Sequence, residues 1–116
     1  MNSYTLREVC EIVGVSRRAI QGYEKAGLVK PSGKNNRGYL LYNEEKVQRI
    51  STIRMFQQFG FTVKEIGVII DGEKEDIKKA LEGKLIQLEE DTAAQQEIIQ
   101  KIIKLIENLT TQTGGK

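Results

Sequence analysis

Apolar residues recur at helical spacing in a short block near the start of the chain. Thr5 and Glu8 have the spacing of a capping box, in which each side chain accepts a backbone hydrogen bond at a helix start. Gly14 supplies the backbone freedom that a helix end requires. The block therefore predicts a short helix, and its buried positions at i, i+3, i+4 and i+7 are Leu6, Val9, Cys10 and Val13.

A second helical block follows after a turn of two residues. It begins at Ser16, a favourable N-cap residue that we also expect to approach DNA. Its buried side is predicted to be Ala19, Ile20 and Tyr23. Its open side is polar and cationic and consists of Arg17, Arg18 and Gln21. This pattern is typical of a helix-turn-helix whose second helix enters the major groove of DNA. Arginine pairs with guanine or binds phosphate, glutamine can pair with adenine, and the sequence leaves these choices open.

The next segment has the composition of a β-hairpin. Pro31 disfavours helix at the residue before it, and residues 32–38 form a polar turn with two glycines and two asparagines. Residues 39–42 have the character of a short strand, in which we expect Tyr42 to belong to the core. The hairpin is a candidate wing that contacts phosphate or the minor groove. Its candidate DNA contacts are Lys34, Arg37 and Tyr39.

Two more helices are predicted before residue 72. Asn43 caps the first, which continues to Gly60, and Thr62 with Glu65 forms a second capping box.

Beyond residue 73 the apolar spacing changes to a heptad pattern. Alternating steps of four and three predict one continuous helix over residues 74–109 with a coiled-coil seam. The seam positions are Leu81, Leu85, Leu88, Thr92, Gln95, Ile99, Ile102, Ile106 and Leu109. A seam of this length has too little surface within a chain of 116 residues to cover it, so we expect self-association. The seam leaves open whether the partners are parallel or antiparallel.

Composition excludes several classes of function. The chain has one cysteine and no histidine, so it cannot form an internal disulfide, and we expect no metal site, no cofactor and no enzyme activity. Cys10 belongs to an apolar stripe and is expected in the core. Residues 1–72 hold eleven Lys/Arg against seven Asp/Glu, a net charge of +4, which favours a nucleic-acid face there. Without an apolar run long enough for a membrane or a signal peptide, the expected location is the cytoplasm.

Residues 4–72 resemble the DNA-binding domain of the MerR family of bacterial transcriptional regulators. The resemblance rests on YTLREVCEIVGVS, YEKAGLVKP, the GYLLY wing and QQFGFTVKEI, in that order. The helix after residue 73 is similar to the family's antiparallel dimerisation helix. The resemblance implies a homodimer that binds a pseudo-palindromic promoter operator on double-stranded DNA and distorts it for RNA polymerase. The family pattern has an arginine and an aromatic residue where this chain has Gln21 and Gly22, and an arginine at the position of Leu40.

The predicted fold class is mainly α. A winged helix-turn-helix occupies residues 1–72, a coiled-coil dimerisation helix residues 73–110, and a disordered tail residues 111–116. The predicted function is sequence-specific DNA binding in transcription regulation. One rival is a DNA-architectural factor of excisionase type. The other is a small-molecule sensor for hydrophobic cations or drugs, with a pocket at the dimer interface lined by Ile98, Ile103 and Leu105.

Overall fold

The computed structural model describes residues 2–89 and 96–113. It confirms a mainly helical fold with a winged helix-turn-helix, and the last described element is a helix of 18 residues. In chain order the elements are β1 (Ser3–Thr5), α1 (Leu6–Val13), α2 (Arg17–Lys25), β2 (Gly33–Lys34), β3 (Leu40–Asn43), α3 (Glu44–Gln58), α4 (Val63–Ile69), α5 (Lys74–Glu89) and α6 (Gln96–Thr113).

Both predicted capping boxes are confirmed. The Thr5 amide donates to Glu8 Oε1 at 2.9 Å, and the Glu8 amide donates to Thr5 Oγ1 at 3.3 Å. The corresponding distances at Thr62 and Glu65 are 2.8 and 3.1 Å. Gly14 ends α1 with φ +83°, where a side chain would be strained. These local signals determine where α1 and α4 begin and where α1 ends.

The sheet holds the wing against the helix-turn-helix. Its strand order is β1-β3-β2, with both pairs antiparallel. Ser3 pairs with Asn43 on one side of β3, and Gly33 pairs with Leu41 on the other. The sequence did not predict β1, and β2 lies inside the segment that was predicted to be a turn. Strands of three and two residues are too short to show an alternating pattern, so backbone pairing with β3 defines them.

A continuous apolar core connects the elements. Tyr42 is buried as predicted, and Cys10 is partly buried against the core. The fully buried side chains come from every large element of the chain and are Val9, Ile20, Tyr42, Ile50, Ile53, Ile66, Leu81 and Ile102. The buried faces predicted for α1 and α2 therefore pack into the core, with Ala19 partly buried at its edge.

The prediction of one continuous helix over residues 74–109 is wrong. The described residues form two helices, α5 and α6, which pack against each other. Helices that follow each other so closely along the chain and pack side by side are antiparallel neighbours. The predicted seam residues Thr92 and Gln95 lie outside the described residues. We call the pair α5 and α6 the C-terminal hairpin.

The hairpin covers much of the predicted seam inside one chain. The buried seam residues are Leu81, Leu88, Ile99 and Ile102, and the partly buried ones are Leu85, Ile106 and Leu109. The expectation that one chain lacks the surface to cover the seam is therefore wrong. It neglected that the two halves of a seam can face each other within one chain. In addition, α6 extends to Thr113, past the predicted boundary at residue 110.

Candidate nucleic-acid interface

The second helix of the helix-turn-helix presents one polar side to solvent. Ser16 Oγ accepts a hydrogen bond from the Ala19 amide at 3.0 Å and so caps α2, while its hydroxyl proton remains available to an external acceptor. Arg17, Arg18 and Gln21 are all exposed. The opposite side of α2 is buried through Ile20 and Tyr23. The predicted contacts therefore lie on the exposed side of an α-helix, an element that the major groove of DNA, about 12 Å wide, can admit.

Two tyrosine hydroxyls attach α2 to the rest of the domain. Tyr23 donates to Gln57 Oε1 of α3 at 2.5 Å, and Tyr42 of β3 donates to the Glu24 carboxylate. Burial raises the pKa of Tyr23 above its ordinary value. The pKa of Tyr42 is also raised, first by burial and then by the neighbouring Glu24 carboxylate. Both phenols therefore stay protonated at neutral pH and remain donors that orient α2.

A single asparagine organises the tip of the wing. Asn35 Oδ1 accepts hydrogen bonds from the amides of Arg37 and Tyr39, at 2.9 and 3.0 Å. Gly38 adopts φ +83° between them. The side chains of Lys34, Arg37 and Tyr39 are left exposed, and Tyr39 keeps 57% of its surface accessible. The wing thus offers two cations and an aromatic ring on a backbone that is already ordered.

The structure brings part of the wing beside the start of α2. A surface groove of about 530 Å³ lies between them and is lined by Thr5, Leu6, Arg7, Arg17, Gly38, Tyr39 and Leu40. Of the predicted contacts, Arg17 and Tyr39 line this groove. The groove joins the two candidate DNA-binding elements into one surface.

Sequence reasoning missed Arg7 as a member of this surface. Its side chain is 84% exposed and lies 3.8 Å from Glu11 in an exposed i, i+4 pair, which is a weak interaction. The only signal in the sequence was a cation one position after the first apolar residue of α1. That signal becomes informative only when β1 and β3 bring the wing next to α1.

An ion pair connects α3 to the end of α4. Arg49 donates to Asp71 through two nitrogens, at 2.7 and 2.9 Å, and its Nε donates to the Leu28 carbonyl. The hydrogen bonds from Arg49 hold the pKa of Asp71 below its ordinary value. The same hydrogen bonds raise the pKa of Arg49. The segment after α2 is thereby fixed to α3.

In the part of the chain that the structure describes, no three Cys, Asp or Glu side chains are grouped to hold a metal ion. None of the helices within residues 2–89 and 96–113 has the length and apolar character needed to cross a membrane.

Comparison with known proteins establishes the class. Residues 4–73 match the family model described as MerR HTH family regulatory protein, and residues 47–105 match the model described as MerR, DNA binding. The first match alone covers more than half of the chain. The chain belongs to the MerR family of helix-turn-helix regulatory proteins, as the sequence motifs indicated.

Particular relatives agree with this membership. The chain is 33% identical over 113 residues to the HTH-type transcriptional activator mta of Bacillus subtilis (strain 168), a match that covers 97% of this chain and 43% of the relative. This chain therefore spans less than half the length of that relative.

Solved structures show the same fold. The N-terminus of MtaN, the Bacillus subtilis multidrug transporter activator, is 32% identical with a TM-score of 0.69, over 89% of this chain and 97% of that one. HiNmlR, a MerR family regulator lacking the sensor domain and bound to promoter DNA, is 19% identical with a TM-score of 0.53, over 97% of this chain and 71% of that one. At 19% identity the second likeness is evidence for the fold alone.

Proposed function

We propose that this protein binds a specific duplex DNA sequence at a promoter and regulates transcription there. The observation that carries the proposal is the exposed polar side of α2. Arg17, Arg18 and Gln21 are exposed on a helix whose other side is buried, so the core holds the helix while these side chains face solvent. Membership in a family of regulatory proteins supports the same conclusion.

In this proposal α2 lies in the major groove and the wing lies along the flanking backbone. Arg17 and Arg18 bind guanine edges or phosphates, and Gln21 reads an adjacent base. Ser16, at the start of the helix, donates its hydroxyl proton to a phosphate. Lys34 and Arg37 neutralise phosphates, and the Tyr39 ring packs on the sugar-phosphate backbone or in the minor groove.

Arg7 is added to the proposed interface. It lines the groove that Arg17 and Tyr39 also line, so a phosphate between α2 and the wing lies within reach of two guanidinium groups. Arginine is well suited to this position because its planar group binds phosphate with two parallel hydrogen bonds. A DNA backbone crossing this groove also replaces the weak exposed contact between Arg7 and Glu11.

We further propose that the protein acts as a homodimer through its C-terminal helices. MerR family regulators typically bind DNA as dimers. In one chain α6 packs antiparallel on α5, and the same apolar side chains meet when α6 of each chain packs on α5 of its partner. Such an exchange gives a symmetric dimer with two DNA-binding domains and exposes no additional apolar surface.

The DNA proposal is tested by selection of a binding site from a random duplex library, followed by gel-shift titration of variants. Arg18→Ala is expected to weaken binding of the selected duplex by about 1–3 kcal/mol if Arg18 contacts a base. Lys79→Ala, an exposed lysine of α5, is the matched control and is expected to bind like the parent protein. Equal affinity of the two variants removes Arg18 from the interface, and failure to select any sequence contradicts specific binding.

The dimer proposal is tested separately by sedimentation equilibrium over a range of concentrations. The chain mass is 13.1 kDa, and a species of twice that mass is expected in the absence of DNA. A selected site with two inverted half-sites about 34–36 Å apart is the expected counterpart on DNA. A species of 13.1 kDa at every concentration contradicts the dimer and leaves the α2 proposal unaffected.

A further inference from the structure

A second groove lies where the end of α3 meets α6. It has a volume of about 390 Å³, within the range of roughly 300–1,000 Å³ that small-molecule sites occupy. Its lining residues are Met55, Gln58, Phe59, Ile98, Lys101, Lys104, Leu105 and Asn108. None of them belongs to the proposed DNA-binding surface, and we call this the α3–α6 groove.

The floor and the rim of the α3–α6 groove differ in character. Phe59 is buried, and Met55, Ile98 and Leu105 are partly buried, so the floor is apolar. Lys101 and Lys104 are exposed on the α6 side. No carboxylate lines the groove, and among the described residues neither lysine is in an ion pair. The side-chain amides of Gln58 and Asn108 add further hydrogen-bond donors.

This arrangement selects ligands by charge as well as by shape. An apolar body entering the groove removes hydrophobic surface from water, which favours binding in proportion to the buried area. The ammonium groups of Lys101 and Lys104, which form no ion pair within residues 2–89 and 96–113, attract a carboxylate and repel a quaternary ammonium group. The sequence led us to consider hydrophobic cations as ligands at a dimer interface. In the structure, Ile98 and Leu105 instead line a groove whose rim is positively charged, which disfavours a cationic ligand.

We propose that the α3–α6 groove binds an amphipathic organic anion, such as a medium-chain alkyl carboxylate. The alkyl chain lies on Met55, Phe59, Ile98 and Leu105, and the carboxylate accepts hydrogen bonds from Lys101 and Lys104. Each buried methylene raises affinity by about fourfold until the apolar floor is covered. The proposal does not depend on DNA binding, because it uses no residue of the α2 and wing surface. In the proposed dimer the partner's α6 takes the place of α6, so the same side chains line the groove.

Met55 provides a local probe for the test. The chain contains two methionines, and Met55 lies in the groove. Protein carrying ¹³C-methyl methionine is titrated with decanoate below the concentration at which it forms micelles, and in parallel with decyltrimethylammonium. Saturable movement of the Met55 methyl resonance is expected with decanoate, together with a concentration-dependent rise in the unfolding midpoint. The cation is expected to leave the resonance in place.

A pair of double variants separates site binding from general charge effects. Lys101→Gln with Lys104→Gln is expected to weaken decanoate binding by about tenfold. Lys74→Gln with Lys79→Gln, which removes two exposed charges from α5 and none from the groove, is expected to bind like the parent protein. Circular dichroism confirms that both variants keep their helix content.

Three outcomes overturn the proposal. The first is equal binding of the anion and the cation. The second is equal loss of affinity in the two double variants, which indicates nonspecific attraction. The third is a Met55 resonance that moves with protein concentration alone, because the groove is then covered by a second copy of the chain.

Discussion

The head, residues 2–72, and the C-terminal hairpin are both amphipathic but are specified in different ways. In the head, polar groups fix each boundary, through the Thr5 and Thr62 capping boxes, the Ser16 and Asn43 caps and the positive φ of Gly14. In the hairpin, the structure is specified mainly by a periodic stripe of apolar residues. A cap determines one residue at which a helix begins, whereas a stripe determines only that two helix faces meet.

This difference explains why the same seam is compatible with two arrangements. Leu81 of α5 and Ile102 of α6 are both fully buried within one chain, and the proposed dimer uses the same helix faces between chains. Because the proposed exchange pairs the same apolar side chains, we expect protein concentration to decide between the two arrangements. The head has no comparable alternative, because its caps and strand pairs are satisfied by particular nearby residues.

The largest expected effect is that of a charge in the hairpin seam. Ile102 is 0% exposed, so Ile102→Glu places a carboxylate in an apolar interface without a partner. We expect a loss of about 4 kcal/mol in the free energy of unfolding, measured by urea titration with circular dichroism. Gln100→Glu adds the same charge at an exposed position of α6 and is expected to change stability by less than about 0.5 kcal/mol. Similar stability of the two variants contradicts a buried seam.

A glycine pair compares the backbone of the two regions directly. Gly14 has φ +83° with open space around it, so Gly14→Ala adds only backbone strain and is expected to cost about 1–2 kcal/mol. Gly83 lies inside α5, also with open space, and Gly83→Ala is expected to stabilise the protein by about 1 kcal/mol. Thermal unfolding of both variants measures the difference. Shifts of the same sign refute the view that the head is fixed by special backbone positions.

A smaller effect is expected from the bond that joins α2 to β3. Tyr42→Phe removes the hydroxyl that donates to Glu24 and is expected to cost about 1 kcal/mol. Tyr39→Phe removes an equivalent hydroxyl from an exposed wing residue, and its stability should equal that of the parent protein. Urea titration at neutral pH compares the two. If Tyr42→Phe is silent as well, the bond contributes nothing to the position of α2.

The smallest expected effect concerns the exposed ion pair of Arg49 and Asp71. Asp71 is 71% exposed, so the pair contributes less than about 1 kcal/mol. Its pKa is lowered in the folded state, so the stabilisation is complete above the ordinary value of 3.8 and is lost as pH falls through the folded pKa. The stability difference between Asp71→Asn and the parent protein should therefore vanish in acid and be constant near neutral pH. A difference that grows in acid has the wrong sign for this mechanism.

Local signals made much of the head predictable. The capping boxes at Thr5 and Thr62 were evident because their residue types and spacing are short-range properties. The exposed side of α2 followed from the burial of Ile20 and Tyr23 on its other side. Membership in the MerR family followed from motifs that recur in order.

Features that depend on distant parts of the chain were not predictable. The three-residue β1 exists because β3 offers it backbone partners about forty residues away. Arg7 joins the candidate site for the same reason. The fold-back of α6 on α5 was missed because heptad spacing is the same for partners within and between chains. The roles of Arg17, Arg18, Gln21 and the wing residues in DNA binding remain predictions.

Asn43 is both the last residue of β3 and the N-cap of α3, where its side chain accepts the Lys46 amide at 3.0 Å. No connecting residue lies between the strand and the helix. The fifteen residues of α3 span about 22 Å, from the base of the wing to the neighbourhood of Phe59. If α3 rotated by about ten degrees about its C-terminal end, its N-terminal end at the base of the wing would move by about 4 Å. That distance is more than the length of a hydrogen bond.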